Sequence, residues 1–321
     1  MAPLVWIIDE EWQDYALEEE VLKSRYPDCT IKYSSYDYSH DLEEYGSQVD
    51  FILSQIYTAI PADVIRRLTK CKGIAVYGGG YDRVDITAAR DMGIGVTNVS
   101  DYCKEDVADY VLAAIYHFNK RILSYGSAMC KGLWGARAVE NKIRRIHGCT
   151  LLIIGLGRIG KTVAQKGQSL GMRVIAVDPY VGQEAMRTLG IEKVSWDDGL
   201  GQADFISLHS ILNSDSEGLL KYQDFVKMKP SAYLINTSRG KVIVEPDLIR
   251  AVKEGLIAGA VLDVLAVEPP TFHEDVFHCE NIIVTPHISY ISEESYAELK
   301  NRTLQNAMDM YEGRTPRDLV N

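Results

Sequence analysis

The sequence predicts an α/β protein built on parallel sheets with helices on both faces, divided over about two domains. Short apolar runs typical of buried strands alternate with amphipathic helical patterns along almost the whole chain, as in βα units. The 321 residues suffice for two domains of roughly 150 residues each. A hydrophobic content of 46% and a charged content of 25% are ordinary for a globular protein and argue against a disordered chain.

The predicted elements follow this alternation in order. We expect strands over residues 4–9, 51–54, 73–77 and 95–98, and helices near 14–25, 62–68 and 86–92. From Ser100 the apolar residues recur at helical spacing, which predicts one long helix that Ser100 caps and that ends near Ser124. A glycine-rich loop containing Trp134 follows. A second βα series then covers residues 151–284, and a last helix covers about 292–311.

The charge balance and the cysteines exclude several classes of partner. The net charge is −11, and the densest basic run, residues 142–145, is short, which disfavours nucleic acids and anionic membranes. No apolar stretch approaches the about 18 residues of a membrane span. None of the six cysteines forms a Cys-x-x-Cys pair with another. The spacing of His273, His278 and Cys279 fits no standard metal site. We therefore expect a reduced, cytoplasmic protein without a metal.

A glycine motif lies between a predicted strand and a predicted helix. Gly155, Gly157 and Gly160 form a Gly-x-Gly-x-x-Gly pattern that follows the apolar run 151–154. The first glycine permits a tight turn, the second lets backbone approach a pyrophosphate, and the third allows close helix–strand packing. Asp178 ends the next strand, where an acidic residue accepts hydrogen bonds from the ribose hydroxyls. Because Pro179 and not an arginine comes next, the motif predicts NAD rather than NADP.

Three later segments each place a reactive side chain just after a predicted strand. Arg239, Glu268 and His287 hold these positions, and ligands of open α/β sheets bind outside the carboxyl ends of the strands. A histidine can exchange a proton with a carbonyl or alcohol oxygen, a glutamate can raise the basicity of that imidazole, and an arginine can bind a carboxylate bidentately. The set therefore predicts redox chemistry between a carbonyl and an alcohol.

With these motifs in their order and spacing, the sequence resembles the D-isomer-specific 2-hydroxyacid dehydrogenases over nearly its whole length. The segments that carry the resemblance are 78–85, 155–160, 236–240, 263–269 and 285–287. The resemblance implies that Arg239 orients the substrate, that His287 is the proton donor and acceptor, and that Glu268 is its partner. It also implies that a 2-keto acid and a (D)-2-hydroxy acid are interconverted.

The same resemblance suggests where the two ligands bind. The backbone amides of Gly79 and Gly80 are expected to receive the substrate carboxylate, as a glycine nest can, and Tyr81 and Tyr290 are candidates for further substrate contact. The residues expected around the cofactor are Gly155, Gly157, Arg158, Ile159, Gly160, Asp178, Pro179, His209, Thr237, Ser238, Arg239, Asp263 and His287.

The implied fold has two doubly wound domains. These are a discontinuous, flavodoxin-like substrate domain over residues 1–99 and 290–321 and a Rossmann NAD-binding domain over residues 100–289. Such enzymes are typically homodimers, with the helix after Ser100 near the two-fold axis. Within the family, segments 285–293 and 313–316 look closest to the C-terminal-binding-protein branch, which includes NAD-sensing corepressors. An NAD-binding interaction scaffold is therefore the alternative function.

The sequence departs from the family pattern in two places. Ile211 and Asn213 stand where proline and threonine are common, in a loop expected beside the cofactor. Val76 stands at the position where 3-phosphoglycerate dehydrogenases carry an arginine, so a phosphorylated substrate is less expected.

Overall fold

A computed structural model describes residues 2–12, 14–138 and 143–321. The described residues divide into two compact units, one within Met1–Cys103 and Ile291–Asn321 and the other within Lys104–Tyr290. Each unit holds one parallel sheet, of five and seven strands respectively, so the predicted fold class of two α/β domains is confirmed. In the described part of the chain, no helix combines the length and apolarity needed to cross a membrane.

The first unit is a doubly wound sheet with strand order β2-β1-β3-β4-β5. Its strands are β1 (Leu4–Ile8), β2 (Thr30–Ser34), β3 (Phe51–Gln55), β4 (Gly73–Tyr77) and β5 (Gly95–Thr97). Its first helices are α1 (Ala16–Arg25), α2 (Ser39–Tyr45), α3 (Ala62–Ile65) and α4 (Ile86–Asp91). The central strands β3 and β4 are buried throughout, because helices cover both faces of the sheet.

The prediction of a single helix from Ser100 to about Ser124 is wrong. Helix α5 spans Lys104–Lys120, and a separate helix α6 spans Ile122–Cys130, so Ser100 lies outside the helix. Arg121 between them is left-handed, with φ 49°, which interrupts the helical hydrogen-bond ladder. The apolar spacing does not reveal this break, because the break depends on the backbone conformation of a single residue. Part of the predicted loop around Trp134 is therefore helical.

The second unit has the strand order β12-β11-β10-β9-β6-β7-β8, with all neighbours parallel. Its strands are β6 (Thr150–Ile154), β7 (Arg173–Val177), β8 (Glu192–Lys193), β9 (Phe205–Leu208), β10 (Tyr233–Asn236), β11 (Gly259–Leu262) and β12 (Ile282–Val284). Its further helices are α7 (Arg158–Ser169), α8 (Gln183–Thr188), α9 (Trp196–Gln202), α10 (Tyr222–Phe225) and α11 (Glu245–Lys253). This is the Rossmann strand order, whose direction reverses between β6 and β9.

The last helix, α12 (Glu293–Tyr311), belongs to the first unit. Ser292 caps it by accepting a hydrogen bond from the backbone N–H of Ser295. Its Lys300 forms a buried ion pair with Glu18 of α1, at 3.1 Å. The hydroxyl of Tyr77, the last residue of β4, donates to the same carboxylate at 3.2 Å. A buried ion pair needs such added hydrogen bonds to offset its desolvation cost, and this network joins α1, α12 and the end of β4.

The short basic run of residues 142–145 begins outside the described residues. Within the described part, Arg144 forms an ion pair with the buried carboxylate of Asp204, to which Lys229 also binds at 2.9 Å. The positive charge here is therefore partly neutralised inside the second unit.

Candidate active site

The glycine motif lies at the strand-order reversal of the second unit. Gly155 follows β6 with φ +92°, a conformation that favours glycine. A Cβ on Gly155 would lie 2.7 Å from the backbone of His209, which follows β9, and one on Gly160 would overlap the carbonyl oxygen of Gly155. In contrast, a Cβ on Gly157 would meet nothing within 4 Å. Two glycines thus allow close backbone packing, and the third borders open space.

Asp178 fixes the glycine loop, a role that the sequence analysis missed. Its Oδ2 accepts a hydrogen bond from the backbone N–H of Leu156 at 2.7 Å. Its Oδ1 accepts from the N–H groups of Tyr180 and Val181, the two residues after Pro179, at 2.7 and 3.1 Å. The carboxylate is buried and therefore ties the turn after β6 to the turn after β7. Its contact with a ribose stays a prediction.

The residues of the second unit fit a dinucleotide. Helix α7 begins at Arg158, directly after the open position at Gly157, so its first N–H groups are available to an anion. Within the described chain, the hydroxyl oxygens of Ser210 and Thr237 are buried without a hydrogen-bond partner. Both residues follow strands of the same sheet, β9 and β10. Such buried polar atoms cost free energy unless something binds them.

The loop after β9 is ordered by local hydrogen bonds. The ring nitrogen Nε2 of His209 lies 2.8 Å from the hydroxyl of Ser207, and burial lowers the pKa of His209 to about 3. Asn213, which stands where threonine is common in the family, accepts hydrogen bonds from the backbone N–H groups of Asp215 and Ser216. Ile211, which stands where proline is common, is largely exposed. The substituted asparagine therefore has its own role in this turn.

The loop that carries Arg239 is held by Asn236, the last residue of β10. The side-chain oxygen of Asn236 accepts hydrogen bonds from the backbone N–H and the hydroxyl of Ser238, and its amide donates to the carbonyl of Arg239 at 3.0 Å. Gly240 packs so tightly on the backbone of Leu265 that a Cβ would overlap it. This close approach joins the loop after β10 to the loop after β11. Sequence reasoning did not identify Asn236 as a positioning residue.

Glu268 and His287 come together in this region. Nδ1 of His287 lies 3.3 Å from Oε1 of Glu268, and that oxygen also accepts the backbone N–H of Leu265 at 3.0 Å. Burial raises the pKa of Glu268, but the imidazole of His287, the N–H of Leu265 and the charge of Arg239 together lower it below its usual value. The glutamate is therefore an anion beside the imidazole, with the guanidinium near enough to act on it.

Asp263 organises the turn that carries His287. The backbone of His287 is left-handed, with φ 55°, which is uncommon outside glycine. The fully buried carboxylate of Asp263 accepts hydrogen bonds from the Thr285 hydroxyl at 2.6 Å and from the N–H groups of Ile288 and Ser289 at 2.9 and 2.8 Å. These bonds hold both sides of the histidine. The expected contact of Asp263 with the cofactor stays a prediction.

The predicted substrate residues Gly79, Gly80 and Tyr81 belong to the first unit. They follow β4 in a loop whose first residue, Gly78, has φ +147°. Tyr81 is exposed, and Tyr290, in the second unit, is buried. The substrate roles of these four residues stay predictions, as do the individual cofactor contacts.

Comparisons with known proteins agree with this geometry. Residues 112–289 match the family model described as "D-isomer specific 2-hydroxyacid dehydrogenase, NAD binding domain". The chain is 33% identical to a glyoxylate reductase of Thermococcus litoralis over 85% of this chain and 84% of that protein. It is 32% identical to a glycerate dehydrogenase of Methylorubrum extorquens over 91% and 95%.

Among solved structures, the D-lactate dehydrogenase of Aquifex aeolicus in complex with NAD and lactic acid superposes with a TM-score of 0.87. The two share 26% sequence identity, over 98% of each chain. The strand order, the glycine loop at its reversal and the loops that carry Arg239, Glu268 and His287 thus occur in a chain that is similar to these proteins over most of its length. The chain belongs to the D-isomer specific 2-hydroxyacid dehydrogenase family.

Proposed function

We propose that this protein is an NAD-dependent oxidoreductase that interconverts a small 2-keto acid and the corresponding (D)-2-hydroxy acid. The observation that carries the proposal is the His287–Glu268 pair, 3.3 Å apart and close enough to Arg239 to feel its charge, in a unit whose sheet also carries a dinucleotide-type glycine loop after β6. The names of the relatives, which are glyoxylate reductase, glycerate dehydrogenase and D-lactate dehydrogenase, support the same reaction class.

NAD is the cofactor that the second unit is built to hold. The glycine loop 155–160 and the first turn of α7 would bind the pyrophosphate, Asp178 the ribose, and the loops containing His209, Thr237 and Ser238 the remaining surface. When bound as NADH, it supplies a hydride to the carbonyl carbon of the substrate.

The side chains of the protein supply the proton and the orientation. Nδ1 of His287 faces Glu268, which leaves Nε2 to donate a proton to the substrate oxygen during reduction and to accept it during oxidation. The anionic Glu268 stabilises the protonated ring. The planar guanidinium of Arg239 can bind the substrate carboxylate bidentately and polarise the carbonyl. We also propose that Gly79, Gly80, Tyr81 and Tyr290 contact the substrate, as the sequence analysis predicts.

The substrate is expected to be a small, unphosphorylated 2-keto acid. Glyoxylate and hydroxypyruvate are favoured by the relatives, two of which are a glyoxylate reductase of Thermococcus litoralis and a hydroxypyruvate reductase of Blautia hydrogenotrophica. Pyruvate and arylpyruvates present the same keto-carboxylate and belong in the same test. Val76 in place of an arginine disfavours a phosphorylated acid.

The test is a spectrophotometric assay of NADH oxidation against a panel of glyoxylate, hydroxypyruvate, pyruvate and phenylpyruvate. We expect turnover with at least one of them and a (D)-configured product. A protein that binds NADH but oxidises it with no acid would contradict the proposal and favour the corepressor-like scaffold. The resemblance to the C-terminal-binding-protein branch is a prediction only, and the relatives described above favour an enzyme.

We further propose that the protein is a cytoplasmic homodimer. Helix α6 and the segment after it expose large apolar side chains, namely Ile122, Leu123, Met129 and Trp134. Exposed apolar side chains of this size, in a chain that resembles a family whose members are typically dimers, suggest a second copy as the partner. Light scattering of the wild type and of Leu123→Glu tests this. We expect a dimer that becomes monomeric in the variant, and a monomeric wild type would refute it.

A further inference from the structure

We infer that Asn98 is a positioning residue that orients the Gly79–Gly80 peptide of the glycine loop 78–80 so that the N–H of Gly80 can receive the substrate carboxylate. The inference rests on the proposed function, because it concerns the predicted substrate loop. It adds a residue that the sequence analysis did not assign, and it gives a physical cause for the orientation of the loop.

Two hydrogen bonds fix the carbonyl groups of this loop. The side-chain amide of Asn98, the first residue after β5, donates to the carbonyl of Gly79 at 2.7 Å. The backbone N–H of Val99 donates to the carbonyl of Gly78 at 2.8 Å. Asn98 is buried, so loss of this bond would not be compensated by water at low cost.

The orientation of the N–H groups follows from peptide geometry. In a trans peptide the C=O and the next N–H lie in one plane and point in opposite directions. Because the carbonyls of Gly78 and Gly79 both point at the segment after β5, the N–H groups of Gly79 and Gly80 point away from it. Successive N–H groups aligned in this way form an anion-binding nest.

The base of the loop is held by contacts that do not involve Asn98. Tyr77, immediately before Gly78, donates to Glu18, which is paired with Lys300, and a Cβ on Gly78 would lie 2.5 Å from the side chain of Ile56. The backbone position of the loop is therefore fixed without Asn98. What Asn98 controls is the rotation of the Gly79–Gly80 peptide, and with it the direction of one of the two donors.

Thr97 provides a matched control. It precedes Asn98 in the chain and is equally buried, and within the described residues its hydroxyl oxygen has no hydrogen-bond partner. Valine is close to threonine in shape, and Thr97→Val removes a hydroxyl that forms no hydrogen bond with the described residues. KM, kcat and thermal stability should therefore all stay near wild type. Any general effect of changing this strand end would appear in this variant as well.

The experiment compares Asn98→Ala, Asn98→Asp and Thr97→Val in steady-state reduction of the best 2-keto acid and of its uncharged 2-keto amide. We expect KM for the acid to rise about tenfold in both Asn98 variants, because one charge-assisted hydrogen bond is misdirected. We expect kcat, the Kd of NADH and the KM for the amide to change little. Equal rises in KM for acid and amide, or a loss of kcat with KM unchanged, would overturn the inference.

A binding measurement separates this inference from the proposed function. Calorimetric titration with oxalate in the presence of NADH needs no turnover. If the wild type reduces no 2-keto acid, the proposed function fails, yet binding of oxalate to the wild type that weakens about tenfold in Asn98→Asp would still support the nest. Oxalate binding that is absent from the wild type, or unchanged in the variant, would refute it. Asn98→Asp preserves the side-chain volume and remains informative if Asn98→Ala does not fold.

Discussion

The two units use the same βαβ arrangement to present a glycine loop, but they expose different backbone surfaces. In the first unit the loop lies between β4 and α4, and in the second it lies between β6 and α7. Each loop starts with a glycine at positive φ, Gly78 at +147° and Gly155 at +92°. In each, the first residue after the following strand bonds back to the loop, Asn98 in one and Asp178 in the other.

The difference lies in which backbone group that residue consumes. Asp178 accepts an N–H of its loop, so the free donors for an anion must come from the N-terminus of α7, which begins three residues after Gly155. Asn98 binds a carbonyl instead, and α4 is short and begins only at Ile86. The proposed carboxylate contact therefore relies on the N–H groups of the loop itself. If both proposed contacts hold, the amide of Asn98 and the carboxylate of Asp178 leave free the donors that each ligand needs.

If both loops only bind ligands, the largest loss of rate should come from a residue outside them. We predict that His287→Ala lowers kcat by about 10²–10⁴, the usual contribution of a general acid, while the Kd of NADH stays near wild type. Stopped-flow single turnovers and fluorescence titration measure the two quantities. His273, an exposed histidine in the second unit, provides the control His273→Ala, which should retain full activity. Near-normal turnover of His287→Ala would remove the proposed acid–base role.

The second prediction tests whether Gly157 and Gly160 have different roles in the second unit. Gly157→Ala places a methyl group in open space, so thermal stability should be unchanged while NADH affinity falls by about 10- to 100-fold, since the methyl would occupy the path of the pyrophosphate. Gly160→Ala would overlap the carbonyl of Gly155, and an overpacked site of this kind costs about 1–3 kcal/mol. It should therefore lose both stability and affinity. Differential scanning fluorimetry with and without NADH distinguishes the two cases, and equal behaviour of both variants would contradict the assignment.

The fold could be predicted from the sequence, and the candidate reacting groups could be proposed from it, because their signals are local. Strands β4 and β7 coincide with the apolar runs at 73–77 and 173–177, and the glycine motif lies at the strand-order reversal. Elements with weak local signals were missed. Strand β2 is an edge strand that contains Lys32 and only one buried residue, and the break at Arg121 depends on one backbone conformation.

The positioning residues could not be assigned in the same way, because their partners are backbone atoms far along the chain. Asp263 holds the N–H groups of residues 288 and 289, and Asp178 holds that of Leu156. Spacing does not reveal a backbone partner. A usable signal does exist: Asn98, Asp178 and Asp263 each directly follow a strand, and Asn236 ends one. A short polar residue at the carboxyl end of a buried strand is well placed to bind the neighbouring loop.

The third prediction concerns the pH dependence of stability that buried His209 should cause. Because burial lowers the pKa of His209 to about 3, the unfolded chain binds a proton below about pH 6.5 that the folded chain does not. Stability should therefore fall as the pH decreases, by up to about 1.4 kcal/mol per pH unit from this residue. Thermal midpoints at about pH 7 and about pH 5.5 measure it. His209→Gln should show a smaller acid-induced shift than the wild type, and an identical shift would exclude this contribution.

The smallest effect expected concerns Asp178, whose carboxylate holds the glycine loop and is proposed to bind the ribose as well. Asp178→Ala removes the acceptor of three N–H groups, so affinity for both NADH and NADPH should fall. Removal of the negative charge should weaken NADPH binding less, since the 2′-phosphate is no longer repelled. The preference for NADH should therefore narrow by about two- to fivefold, which corresponds to about 0.4–1 kcal/mol. Fluorescence titrations give this ratio, with Asp197→Ala, an exposed aspartate of α9, as the control for loss of one charge. An unchanged ratio with both affinities reduced would leave Asp178 with only its structural role, and the comparison with Asn98 would then be one of loop positioning alone.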